Sequence, residues 1–332
     1  MKNSFGRFVL AVWVGCLSAG AGLPAVAAEV TLKSLSAAPR HLVFMKPMDE
    51  FERLVNERGK GVVKIAYLGG PEAIPTPEQF RAISTGLVDV HVGPNQWFQG
   101  QLAYSQVFNP GNKSVAELRE GGGFAAIQAV YRKHANLELL NYLGEPVRFY
   151  LYLRKPPKRT ADGGIDLSGL TIRGTGTEKA FLHKLGAVHR NIQVPEMYTA
   201  LQRGAIDGVT YVNVAVTQLG LHKFLKYRVR PTFAQGDLAT NVNLDRWKSL
   251  SREARAILNQ AARDTEIWTN AFWQRIASEE LAKLREAGMQ DIVLSGTAAE
   301  TYVAHYTSSR WEEIAKRIGP DESKRFRGLF TK

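Results

Sequence analysis

Residues 166–213 constrain the fold more than any other part of the chain, because strand and helix signals follow one another there with little slack. An apolar run that ends at Ile172 predicts a strand, and a glycine-containing loop then leads into an amphipathic helix pattern that stops at Gly186. A second helix and a second strand pattern follow up to Asn213. This succession predicts an α/β unit with a parallel sheet.

Arg173 stands at the end of the first of these strands, directly before the loop that contains Gly174 and Gly176. A cation at the carboxyl end of a parallel strand, beside loop amides at a helix N-terminus, is suited to bind an anion. A guanidinium is planar, permanently charged and bidentate, so it fits a carboxylate better than an ammonium does. We therefore predict that Arg173 binds a ligand carboxylate; the alternative is an exposed arginine or a structural ion pair.

The sequence contains an internal repeat with an offset of 118 residues. Residues 77–89 align with residues 195–207, with Pro, Glu, Ala, Gly and Asp at matching positions, and Asn95 and Asn213 keep the same offset. Any helix that begins near a proline, ends at a glycine and precedes a strand would resemble this pattern. The alternative is that two lobes share one plan and face each other across a cleft into which both asparagines point.

The domain organisation follows from length and from two β-rich crossings. A chain of 332 residues suits two lobes, and the runs 147–154 and 238–244 predict strands that pass between them. We expect lobe I to comprise residues 29–152 and 239–280, and lobe II to comprise residues 153–238 and 281–332.

A long helical pattern runs from Ser251 to Ala287 and is closed by Gly288. Such a helix would be about 50 Å long, which exceeds the width of one lobe. We expect it to bridge both lobes or to kink.

The N-terminus predicts export. Lys2 and Arg7 precede an apolar run, and small residues follow up to Ala28, which is typical of a signal peptide over residues 1–28. Cys16, the only cysteine, lies inside this segment, so the mature chain would contain no disulfide. We expect a soluble periplasmic protein.

Composition and motifs argue against several other functions. The formal net charge is +12, but the charges are dispersed and no basic tract is interleaved with aromatic residues, so we expect no nucleic-acid partner. The seven histidines are scattered without a metal-ligand spacing, and Lys179 replaces the third glycine of a dinucleotide-binding loop. A nucleophile elbow is also missing from the sequence. We therefore expect no metal, no cofactor and no enzymatic activity.

From Glu29 onward the chain resembles the solute-binding proteins of tripartite ATP-independent periplasmic (TRAP) transporters. The resemblance lies in the run LSGLTIR at 167–173, in Val194-Pro195 with Tyr198, in residues 200–204 and 206–208, and in the long helix. It implies a two-lobed periplasmic binding protein fold with hinge strands. It also implies that a monomer closes around a small organic acid and delivers it to the membrane subunits of a sodium-driven transporter.

The resemblance suggests further ligand-binding residues. Arg173 matches the family's carboxylate-binding arginine, and Arg154 matches a second family arginine about twenty residues earlier. The family often has Asn four residues after the Asp of its Asp-Gly pair, but here that position is Tyr211, with Asn213 two residues later. Either the phenol or a water would then contact the ligand.

Loop residues of the opposite lobe complete the set of candidates. Asn95, Gln96 and Trp97 follow a strand, and the indole of Trp97 could stack on a flat ligand or pack beneath its own loop. Glu72 would be useful beside an anion only with a metal or a ligand hydroxyl. Arg40 and His41 share this candidacy with Glu72.

Two other functions remain open at this stage. A ligand sensor that presents its closed form to a membrane signalling protein would use the same binding chemistry, and an exported hydrolase would turn the bound acid over. One arginine is compatible with keto, hydroxy, sugar and aromatic acids alike, so the sequence does not identify the ligand.

Overall fold

The computed structural model describes residues 28–332. The predicted signal peptide therefore lies outside the described residues, apart from Ala28. No helix within the described part of the chain combines the length and the apolar character required to cross a bilayer.

The strands and helices alternate through most of the chain. The strands are β1 Val30–Ser36, β2 Val63–Gly69, β3 Val90–Pro94, β4 Leu137–Leu139, β5 Arg148–Leu153, β6 Lys158–Arg159, β7 Ile165–Asp166, β8 Thr171–Gly174, β9 Val188–Asn191, β10 Gly208–Val212, β11 Tyr227–Gln235, β12 Leu238–Asn243 and β13 Gln290–Val293. The α-helices are α1 Lys46–Arg58, α2 Gln79–Ser84, α3 Val115–Glu120, α4 Gly123–Ala135, α5 Lys179–Lys184, α6 Met197–Gln202, α7 Leu244–Ser249, α8 Arg252–Glu286, α9 Gly296–Ile318 and α10 Pro320–Phe330.

Two sheets form the centres of two lobes and repeat one plan. The first sheet has the order β2-β1-β3-β12-β4, and the second has the order β13-β11-β5-β10-β8-β9. In the first sheet β1 is parallel to β2 and β3, and β12 is antiparallel to β3. In the second sheet β8 is parallel to β9 and β10, and β5 is antiparallel to β10. The predicted α/β class and the two-lobe interpretation of the sequence repeat agree with this topology.

The repeated sequence segments adopt the same local structure. Short 3₁₀ turns at Thr76–Glu78 and Val194–Glu196, each with a proline at its start, lead into α2 and α6. Gly86 and Gly204 follow these helices with φ angles of 79° and 69°, in the left-handed region that favours glycine. Each unit then continues directly into the strand that carries candidate site residues at its end.

The chain crosses between the lobes in segments that lie against each other. The backbone amide of Gly236, between β11 and β12, donates to the carbonyl of Val147 before β5 (2.9 Å), and the hydroxyl of Tyr142 donates to the carbonyl of Gly236 (2.5 Å). A Cβ atom on Gly144 would lie 2.5 Å from the carbonyl carbon of Gly236. Both crossings thus form one compact hinge in which Gly144 permits close backbone contact.

Helix α8 is continuous over 35 residues and bridges both lobes, as the sequence predicts. Glu266 accepts a hydrogen bond from the backbone amide of Tyr142 (2.9 Å) and pairs with Arg119 (2.7 Å) on the first lobe. Glu280 accepts from the amide of Thr217 (2.6 Å) on the second lobe. A carboxylate near the middle of the helix therefore fixes it to the first lobe, and one near its C-terminal end fixes it to the second.

The C-terminal helices do not belong to one lobe. Tyr302 and Tyr306 of α9 pack in the core of the second lobe, whereas Trp311 of α9 and Phe326 of α10 pack in the core of the first. A helix of 23 residues is about 35 Å long, long enough to contribute to both cores. Residues 281–332 were all expected in lobe II, but this segment packs in the cores of both lobes.

Candidate ligand-binding site

A cleft between the two lobes contains about 730 Å³ of empty space, part of it open to solvent. Side chains from the first lobe, the second lobe, the hinge and α8 all contribute to its walls. The lining residues are Phe44, Pro94, Gln96, Trp97, Gly144, Val147, Phe149, Arg173, Thr175, Val194, Tyr211, Val212, Gly236, Asp237, Leu238 and Trp273. Most of these are apolar or aromatic, so the few polar groups determine how a ligand would be oriented.

Arg173 lies near the end of β8, with only 5% of its surface exposed. Its Nε donates to the carbonyl of Ile192 (2.8 Å) and its Nη1 donates to the carbonyl of Thr210 (3.2 Å). Within residues 28–332 no carboxylate oxygen comes within 4 Å of this guanidinium. Burial lowers the pKa of Arg173, but an arginine side chain remains charged at any physiological pH. The negative charge of Glu178 opposes this shift without contacting the guanidinium, so the site contains a buried, oriented cation that makes no salt bridge within the described residues.

The loop after β8 contributes less to an anion site than the sequence suggested. Thr175 lines the cleft, but its backbone amide donates to the carboxylate of Glu178 (2.5 Å). The same carboxylate accepts hydrogen bonds from the hydroxyls of Thr175 and Thr177. The predicted contribution of free loop amides is therefore reduced, because a buried acidic side chain already uses the first of them.

Tyr211 lies near the end of β10 and faces the same cleft as Arg173. Burial raises the pKa of its phenol to about 12, and the neighbouring charge of Arg173 acts in the opposite direction. The hydroxyl therefore remains protonated and can donate a hydrogen bond to an anion.

Gln96 and Trp97 line the cleft from the first lobe. The Oε1 atom of Gln96 lies 3.5 Å from the hydroxyl of Thr177, so the two lobes meet at this point. Trp97 is 37% exposed, which places part of its indole at the mouth of the cleft.

Asp237 is the main functional candidate that the sequence analysis missed. It lies in the hinge between β11 and β12 and is 2% exposed, and its Oδ2 accepts a hydrogen bond from the backbone amide of Gln96 (2.5 Å). Burial raises the pKa of Asp237 to about 7; the Gln96 amide opposes this shift and the negative charge of Glu178 adds to it. An acidic residue beside Gly236, at the predicted return crossing, was the available signal.

The aromatic walls of the cleft were also missed. Phe44 precedes α1, Phe149 lies on β5, and Trp273 lies on α8. The indole Nε1 of Trp273 donates to the carbonyl of Leu143 in the hinge (3.0 Å).

Arg154 does not line the cleft, contrary to its candidacy. Strand β5 runs antiparallel to β10, so Leu153 pairs with Gly208 at the start of β10, at the end of the sheet opposite Tyr211. The Nη1 of Arg154 instead donates to the carbonyl of Leu201 (2.7 Å). Its role in the structure is to bind the end of α6.

Asn95 and Asn213, the repeated asparagines, make structural hydrogen bonds and are not among the residues that line the cleft. The Oδ1 of Asn95 accepts from Asn241 of β12 (3.0 Å), and the Oδ1 of Asn213 accepts from the backbone amide of Arg148 (2.9 Å). Each asparagine thus connects the end of a parallel strand to a strand near the hinge.

Glu72, Arg40 and His41 also lie outside the cleft lining. Glu72 is exposed and accepts from the amide of Gly70 (2.6 Å), and His41 is exposed. Arg40 is paired with Asp49 and Glu52. Within the described residues, no group of three or more His, Cys, Asp or Glu side chains is placed to hold a metal ion.

Comparisons with known proteins agree with the cleft architecture. The model of the DctP family, bacterial extracellular solute-binding protein family 7, matches residues 34–303. A monocarboxylate 2-oxoacid-binding periplasmic protein of Nostoc is 27% identical over 285 residues, which cover 82% of this chain and 74% of that protein.

Solved structures of TRAP transporter solute-binding proteins have the same fold. One from Bordetella bronchiseptica, with calcium and picolinate bound, has a TM-score of 0.75 and 21% identity over 91% of this chain and 92% of that chain. One from Ralstonia eutropha, with bound (S)-2-acetolactate, has a TM-score of 0.76 and 21% identity over 90% and 98%. These structures confirm the predicted two-lobed fold, and the family match confirms the prediction of a solute-binding protein. The family match covers most of the sequence, and the chain belongs to the DctP family of bacterial extracellular solute-binding proteins.

Proposed function

We propose that this protein captures a small organic carboxylate in the inter-lobe cleft and delivers it to the membrane subunits of a TRAP transporter. The observation that carries the proposal is the buried guanidinium of Arg173, which faces the cleft and has no carboxylate within 4 Å in the described part of the chain. The related proteins named above bind 2-oxoacids, picolinate or acetolactate, all of which are carboxylates.

Arg173 and Tyr211 would have different roles in binding. The carbonyls of Ile192 and Thr210 hold Arg173 in place, so its remaining donors are oriented before the ligand arrives. The protonated phenol of Tyr211 can donate a second hydrogen bond to the same anion. Because Coulomb attraction is stronger in a site that excludes water, closure of the lobes over the ligand strengthens this contact.

The proposal includes export and an assembly state. Residues 1–28 act as a signal peptide that directs the chain to the periplasm, and the mature protein works as a monomer. Its partners are the carboxylate ligand and the transporter, without nucleic acid.

The test is a binding screen with matched neutral controls. The mature protein is screened by thermal shift against organic acids and their amides, and hits are measured by calorimetry. An acid at 100 times its dissociation constant stabilises the protein by about 2.7 kcal/mol. Stabilisation by neutral amides or sugars, with none by acids, would reject the carboxylate assignment.

Arg173→Ala and Arg154→Ala form a matched pair of arginine variants. Arg173→Ala should cost about 2–5 kcal/mol of binding free energy, because it removes one partner of a desolvated charge pair. Arg154→Ala should leave affinity within about twofold, because Arg154 binds the carbonyl of Leu201 and does not line the cleft. Equal losses in the two variants would show that the cleft arginine is not the anion site.

A further inference from the structure

We propose that Asp237 makes this receptor selective for carboxylates that carry one additional hydrogen-bond donor, a hydroxyl or an N–H group, on a compact apolar body. This inference rests on the proposed function and assigns the second polar contact of the same cleft. It follows from the placement of a buried acidic side chain in a cavity that also contains the cation for the ligand carboxylate.

The hydrogen bonds of Asp237 leave part of its acceptor capacity unused. Oδ2 accepts from the amide of Gln96 and the carboxylate also interacts with its own backbone amide, whereas no other residue of the described chain donates to Oδ1. Asp237 also forms no salt bridge within residues 28–332, so Arg173 is more than 4 Å away although both residues line the cleft. A buried carboxylate with an unused acceptor is costly, and a donor supplied by the ligand would remove that cost.

Within residues 28–332 no Lys, Arg or His nitrogen lies within 4 Å of the carboxylate of Asp237. Glu178, from the second lobe, has the same charge sign and adds to the raised pKa of Asp237. Tyr131, Tyr142 and Tyr306 lie close enough for the charge of Asp237 to affect their pKa values, which burial already raises. The hydroxyl of Tyr142 is committed to Gly236, and that of Tyr131 has no partner among the described residues.

A ligand carbonyl would suit this position poorly. A 2-oxo group has lone pairs and no proton, so it would face the ionised carboxylate acceptor to acceptor. A hydroxyl or N–H group at the same position donates to Oδ1 while the ligand carboxylate binds Arg173. The ligand group beside Arg173 must therefore accept hydrogen bonds, whereas the ligand group beside Asp237 must donate one.

The remaining walls restrict the rest of the ligand. Phe44, Phe149 and Trp273 present aromatic surface, and Val194 and Leu238 present aliphatic surface. A ligand with several further hydroxyls would bury them against these walls without partners, which is costly. The walls thus favour an aromatic or branched aliphatic body over a sugar acid.

The experiment compares acids that share a skeleton and differ only in the donor. Mandelate, phenylglyoxylate and phenylacetate form one series, and 2-hydroxyisocaproate, 2-oxoisocaproate and 4-methylpentanoate form another. Affinities are measured by calorimetry at pH 8 in the presence of EDTA. We expect the hydroxy acid to bind at least about tenfold more tightly than the oxo and unsubstituted acids in at least one series.

Asp237→Asn supplies the decisive readout, because an amide can donate as well as accept. The hydroxy-to-oxo affinity ratio should fall about tenfold or more in Asp237→Asn and stay unchanged in Glu72→Gln, an exposed carboxylate-to-amide control outside the cleft. In the wild type the ratio should also shrink at pH 5, where Asp237 is protonated. The melting temperature of each variant reports folding separately.

Three outcomes would overturn the inference: oxo acids that bind as tightly as their hydroxy partners in both series, an affinity ratio unchanged by Asp237→Asn, or binding that EDTA abolishes. In the last case the partner of Asp237 would be a cation rather than a ligand donor. In the first two cases acids still bind in EDTA, and in the third they bind once calcium is supplied, so the proposed function stands. Failure of every acid to bind in buffers with and without calcium would reject the proposed function as well.

Discussion

Replacement of Asp237 by Asn should stabilise the ligand-free protein, and the gain should grow with pH. Burial raises the pKa of this carboxyl from 3.8 to about 7, so the folded state favours the protonated form. Between these two values the unfolded chain binds fewer protons than the folded chain, and stability falls as pH rises. The stability that the folded state has while the carboxyl of Asp237 is protonated is fully present below about pH 4 and is lost above about pH 7. Asparagine keeps the shape of the side chain without the ionisation.

The size of the effect follows from the two pKa values. Each unit of difference corresponds to about 1.4 kcal/mol, so the raised pKa of Asp237 costs the folded state about 4 kcal/mol at pH 8 but only about 2 kcal/mol at pH 5. The difference in unfolding free energy between Asp237→Asn and the wild type should therefore increase by about 2–3 kcal/mol over this range. This value is an upper limit, because opening of the lobes hydrates the carboxyl group.

Urea unfolding of both proteins at pH 5, 6, 7 and 8 measures this difference directly. Other buried acids such as Glu52 and Glu266 titrate in both proteins, so their contributions cancel in the comparison. A difference that stays constant with pH, or one that shrinks as pH rises, would refute the assignment of a raised pKa to Asp237.

Three further predictions concern the hinge and the second arginine. Gly144→Ala should destabilise the protein by about 1–3 kcal/mol, because the added methyl would overlap the backbone of Gly236; an unchanged urea midpoint would contradict close packing there. Trp273→Phe should cost about 1–3 kcal/mol of unfolding free energy, because it leaves the buried carbonyl of Leu143 without its donor; thermal unfolding measures this, and no loss would show that water replaces the indole. Arg154→Ala should lower the melting temperature by a few degrees while ligand affinity is kept; an unchanged melting temperature would show that its bond to α6 contributes little stability.

Local sequence signals were sufficient for the parts of the fold that local chemistry determines. The strand that ends near Arg173, the glycine-terminated helices of the repeat and the continuous α8 are all visible as periodic patterns with clear ends. The position of Arg173 in the cleft could be predicted because the carboxyl ends of parallel strands meet at one edge of a sheet. Arg154 lies outside the cleft lining because β5 runs antiparallel and its end lies at the opposite edge.

The remaining features depend on contacts between distant segments, which local patterns do not contain. Asp237 reaches the cleft only because the chain crossing after β11 meets the loop that carries Gln96, 141 residues earlier. Trp311 and Phe326 return to the first lobe only because α9 is long enough to pass both cores. Phe44 and Trp273 were not singled out from the sequence, since an apolar side chain has the same pattern whether it faces a core or a cavity.

The buried charge of Arg173 affects which conformation of the receptor is available to the transporter. Closure over an empty cleft would isolate this cation from water with only the non-contacting carboxylate of Glu178 nearby, whereas closure over a bound acid adds a carboxylate in direct contact. We therefore expect ligand-free molecules to remain open and ligand-bound molecules to close. A transporter that binds only the closed form would then rarely bind a ligand-free receptor, even when ligand-free receptors are in excess.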